Sequence, residues 1–170
     1  MIEKMKSHPL TNVGSVLAIF LVTIIFSNLP GLDGPTPELG FSLGRLFDGA
    51  HEVFLVVLLY IVASLFKNKF VLLFIYGFEL IRISYFVTLG IAVLKSFVLS
   101  WAFIYFFIGF IMLMSNYLLY TYVYEIIKLK ENQAGSFAKR WQYAAVHAFS
   151  NYRLWLILTL MIYFMSVVIL

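Results

Sequence analysis

The sequence predicts an all-α fold, a polytopic transmembrane helical bundle of about five spans with its N-terminus inside and its C-terminus outside, plus one amphipathic helix in the interface. Three observations predict it. Hydrophobic residues fill 63% of the 170 positions and charged residues only 12%, against globular averages of about one half and one quarter. The apolar residues fall into long runs divided by short polar turns, and about 20 such residues cross a hydrocarbon core of about 30 Å. Lysine and arginine are concentrated on alternate turns, as they are where positive loops stay on the cytoplasmic side.

Residues 13–28 form the first span. Lys4 and Lys6 precede it, as basic residues precede a signal peptide, but SNLPG follows where a small-residue cleavage site would stand. A retained helix is therefore expected. The outer loop, residues 27–49, contains three of the four prolines and five glycines, a density that no spanning helix tolerates. Within it, residues 41–47 alternate apolar and small side chains and fit an interfacial segment or a short re-entrant turn.

The spans at 50–66 and 70–94 are joined by Lys67, Asn68 and Lys69, which leaves room only for a tight turn between antiparallel helices. Residues 97–124 form the fourth span, in an apolar run that continues to Ile127 and outlasts the hydrocarbon. Tyr117, Tyr120, Tyr122 and Tyr124 gather at its far end and Trp101 near its start, the positions that aromatic side chains take where lipid meets water.

Residues 128–151 are expected to hold a cytoplasmic loop and a surface helix. Ser136 is a natural N-cap, after which Phe137, Trp141, Ala144, Ala145, Ala148, Phe149 and Tyr152 recur at helical spacing. Lys139, Arg140, Tyr143, His147 and Asn151 occupy the other face, so the segment reads as lying along the membrane. Residues 152–170 make the last span. With this order Lys4, Lys6, Lys67, Lys69, Lys128, Lys130, Lys139, Arg140 and Arg153 share one side and only Arg45 and Lys95 the other. The plasma (inner) membrane is the expected location. No internal repeat suggests the inverted halves of a transporter.

Three groups could carry chemistry. Glu79 and Arg82 lie near the middle of a span, where each charge costs about 2.5 to 3.5 kcal/mol on insertion scales. Three positions apart, they share a helix face and can neutralise one another. The pair is either a packing lock, with Asn116, Ser115 or a tyrosine as further partners, or a relay for protons or ions. Asp48, His51 and Glu52 could offer carboxylates and an imidazole to a metal, but they lack the second histidine of H-E-x-x-H and equally suit a polar helix start. Lys139, Arg140, Trp141 and His147 on the surface helix could anchor to anionic headgroups or meet a cytoplasmic partner.

Several activities find no support. The absence of cysteine excludes disulfides, thiolate metal sites, cysteine nucleophiles and thioether-linked haem. The glycines form no nucleotide-binding loop, and no serine has a histidine and acid at a recognisable spacing. No cofactor and no nucleic-acid partner are expected; the net charge of +4 is arranged by membrane topology. The expected function is that of a small non-enzymatic subunit packing with partner proteins in a membrane transport or assembly complex. The alternative is a self-contained carrier or channel, a homo-oligomer coupled to protons through Glu79, and an intramembrane enzyme stands third.

Overall fold

A computed structural model of the chain describes residues 9–28, 42–95 and 99–169, which are helical throughout except at the turns. Five helices follow in order: α1 (Pro9–Ser27), α2 (Leu43–Leu65), α3 (Lys69–Lys95), α4 (Leu99–Glu131) and α5 (Phe137–Ile169). The last four are long and apolar enough to cross a membrane, and α1 contributes the shorter apolar stretch Gly14–Ser27. The chain is a multi-pass membrane protein. No strand occurs among the described residues.

Local chemistry sets the helix ends. Ser42 is extended and its side chain accepts from the Arg45 amide, so α2 starts at Leu43. Residues 43–47 are thus the opening turns of a helix and not a re-entrant turn, one of the two forms the sequence allowed there; most of the expected outer loop lies outside the described residues. Asn68 accepts from the Phe70 amide at 2.9 Å and starts α3 immediately after α2 has ended. At Gly135 φ is +118°, a left-handed conformation that would strain any other residue, and α5 then opens with the Ser136 backbone carbonyl accepting from the Arg140 amide at 3.0 Å.

The last two helices also run past their expected bounds. α4 continues to Glu131 instead of stopping at 124, because Ile126 and Ile127 are fully packed. The expected surface helix and last span are one unbroken 33-residue helix, α5. No glycine or proline occurs after Gly135 to interrupt it, and the backbone has no reason to bend where polarity alone changes.

The chain divides into two compact units. The first comprises Met1–Thr36 and Glu79–Gly109. Here the Ser84 hydroxyl lies 3.4 Å from the Ile19 carbonyl, joining α1 to α3. Leu89, Val93 and Tyr105 form an apolar cluster with Phe86 and Trp101 against it.

The second unit comprises Pro37–Phe78 and Phe110–Leu170. Its core draws Val56, Tyr60 and Ala63 from α2, Leu72 from α3, Leu118, Leu119, Val123 and Ile127 from α4, and Tyr152 and Leu156 from α5. Close approach at two places depends on small residues. Ala144 and Ala148 of α5 are wholly buried against Ile126 of α4. At Gly49 of α2 an added Cβ would stand 2.8 Å from Val168 Cγ2 of α5. Of the four tyrosines at the far end of α4, Tyr117 is buried, while Tyr120, Tyr122 and Tyr124 are partly buried against the core.

Candidate functional site

Glu79 and Arg82 of α3 are joined in the structure. Arg82 Nη1 lies 3.0 Å and 3.2 Å from the two carboxylate oxygens, with the Arg82 side chain 28% exposed and that of Glu79 only 4%. One helical turn separates them, so the backbone alone brings the charges together. The pair sits midway along α3, about 20 Å from either end at 1.5 Å per residue. That distance is too great for the guanidinium to snorkel to water. Beside it on α3, Ile81 and Tyr85 are exposed.

Asn116 and Ser115, which the sequence offered to this pair, bond within the second unit. Asn116 of α4 accepts a short hydrogen bond from the wholly buried Tyr60 of α2, and its amide nitrogen lies 3.5 Å from the Tyr76 carbonyl of α3. One buried amide thereby ties three helices of the second unit. Ser115 lies 3.3 Å from the Thr159 carbonyl of α5.

Asp48, His51 and Glu52 do not form one site. Glu52 points inward and accepts from Tyr163 of α5 at 2.5 Å, whereas Asp48 and His51 are exposed. Among the described residues no group of three or more metal-capable side chains comes together. The Glu52 carboxylate, more than two turns inside α2, bonds across to the neighbouring helix because that neighbour buries a tyrosine at the same level.

The basic segment is likewise divided. Lys139 and His147 are exposed, and His147 stacks on Tyr143 with ring centres 6.0 Å apart. Trp141 is turned inward and its indole N–H donates to Ser64 Oγ at 2.8 Å. Arg140 is partly buried and its Nε has no hydrogen-bond partner. The face bearing Ala144 and Ala148 packs on α4, so helical periodicity marked a helix–helix seam where it had suggested a membrane-surface face.

Sequence reasoning missed Lys130, which it placed in a polar loop. Lys130 is 2% exposed, and its Nζ donates to the carbonyls of Ser64 at 2.7 Å, Leu65 at 3.2 Å and Phe66 at 3.2 Å. The last carbonyls of a helix lack intrahelical partners and carry the negative end of its dipole. The ammonium answers both needs, and the Phe137 ring lies 5.1 Å from it on another side. A lysine followed by an acid near a helix end looks the same in sequence whether it is solvated or buried.

Comparison with models of known protein families, with curated proteins and with solved structures finds no match for this chain.

Proposed function

We propose that this protein is a small, non-enzymatic integral membrane subunit that packs against partner proteins in a membrane transport or assembly complex. Its place is the plasma (inner) membrane, with the basic turns in the cytosol. The observation that carries the reading is Arg82, a charged side chain that is 28% exposed midway along an apolar helix. Left to face acyl chains, such a group is costly even beside a carboxylate. A partner helix laid over Arg82, Ile81 and Tyr85 removes that contact with lipid and adds packing. Four further polar side chains support a structural assignment too, since Asn116, Ser115, Trp141 and Lys130 are all spent on bonds between helices of this chain.

Purification in mild detergent tests the reading, and stoichiometric co-purifying chains are expected. The native chain has no cysteine, so single cysteines at Ile81 and Tyr85 can be used for crosslinking; both should capture the partner, and a cysteine at Val146 should not. The second reading, a proton-coupled carrier or channel, is favoured by the burial of Glu79. A single species that transports in liposomes, and stops when Glu79→Gln is introduced without loss of folded protein, would replace the subunit reading.

A further inference from the structure

One end of the second unit gathers more positive charge than it neutralises. Lys130 ties the end of α4 to the end of α2, and Trp141 ties the first turns of α5 to the same place through Ser64. The charges of Lys67, in the turn after α2, and of Arg140 both act on Lys130, and Glu131 opposes them. Among the described residues no ion pair engages Lys67, Lys128, Lys139 or Arg140. α5 opens with no acid in its first turn and with Lys139 and Arg140 there instead. The positive end of its dipole therefore adds to the surplus.

Two further features define what would relieve it. The guanidinium of Arg140 has a buried Nε without an acceptor, and a planar guanidinium is matched in shape by phosphate oxygens. Around the cations stand exposed apolar side chains, Leu65, Phe66, Phe70 and Phe137. Such residues beside lysines mark the level at which a helix leaves hydrocarbon. A soluble anion has no use for that apolar rim, whereas a lipid places its phosphate on the cations and its acyl chains along Phe66 and Phe70.

We propose that Lys67 and Arg140 form a binding site for the phosphate of an anionic phospholipid, on a platform that Lys130 and Trp141 hold together. Arg140 and Lys67 are the ligands. Lys130 is a positioning residue, because its three carbonyl bonds commit it to the end of α2. The site does not depend on the partner reading and concerns a different part of the chain.

The test uses the full chain in nanodiscs of phosphatidylcholine with increasing fractions of phosphatidylglycerol, with retained lipid counted by native mass spectrometry. Wild-type protein is expected to retain phosphatidylglycerol in preference to phosphatidylcholine, and Lys67→Gln or Arg140→Gln to lower that preference about fivefold each. Lys95→Gln, at the opposite end of α3, should leave it unchanged. Lys67 is exposed in a turn, so its variant reports on the site even if the Arg140 variant folds poorly. Equal retention of the two lipids by wild-type protein, or equal losses in Lys67→Gln and Lys95→Gln, would overturn the proposal. Thermal stabilisation by inorganic phosphate as large as that by phosphatidylglycerol would also overturn it, by showing a site for free anions.

Discussion

The Lys130 ammonium, near the end of α4, lies 2.7 Å from the Ser64 carbonyl near the end of α2. That bond and its two companions close the last turn of α2 with a side chain from a helix 65 residues away in sequence, where a local cap is usual. Lys130→Met keeps much of the stem's packing and removes the donor. We expect it to destabilise the folded protein by about 1.5 to 3 kcal/mol, the range for hydrogen bonds made by a charged group, as measured by thermal unfolding in detergent. Lys128→Met, at an exposed position on the same helix, should change stability by less than about 0.5 kcal/mol.

Tyr60 and Asn116 are coupled through one buried hydrogen bond. A double-mutant cycle of Tyr60→Phe and Asn116→Leu should give an interaction energy of about 0.6 to 1.7 kcal/mol, the span found for interhelical hydrogen bonds in membrane bundles. Strictly additive single effects would mean that the bond contributes nothing in the bilayer.

Gly49 and Gly77 should respond in opposite ways to alanine. At Gly49 the added methyl meets the stiff Val168 side chain at 2.8 Å and the backbone nitrogen of that residue at 3.6 Å. Separating α2 from α5 there should cost about 1 to 3 kcal/mol. At Gly77 nothing lies within 4 Å, and alanine should raise stability by up to about 1 kcal/mol through its higher helix propensity. Paired unfolding curves of the two variants would decide the matter.

Glu79→Gln leaves the Arg82 charge without its balancing carboxylate at mid-depth. If the pair is part of a packing seam, the yield of folded protein and the recovery of partner chains should fall together. Glu79→Leu combined with Arg82→Met removes both charges and should recover most of the folded protein, as replacement of a buried ion pair by apolar residues often does. Fluorescence-detected size-exclusion chromatography of the fused protein measures the first quantity, and quantitative pull-down the second.

How much of this was legible beforehand depends on the range of the interaction involved. The apolar runs around α1 to α5 declare the helices, because lipid requires each segment to satisfy its own backbone and so leaves the pattern local. The Glu79–Arg82 pair is local for the same reason, a single helical turn apart. The split fates of Asp48, His51 and Glu52 were not legible. All three lie within five residues of one another, and only the arrival of Tyr163 from α5 distinguishes Glu52 from the other two.

The amino-acid sequence by itself determined an all-helical, multi-pass membrane chain, the tight turn at Asn68, the break at Gly135 and Ser136, and a charged pair at the middle of α3. Each depends on residues within about one or two helical turns, where bond geometry and the apolar pattern leave little choice. Only the tertiary structure decided that Trp141 bonds to α2 and Ala148 packs on α4, that the tyrosines of α4 point inward, and that Lys130 caps a distant helix. Those outcomes depend on which helix lies beside which face. A lysine, an alanine or a tyrosine carries no mark of its neighbour until the helices have packed.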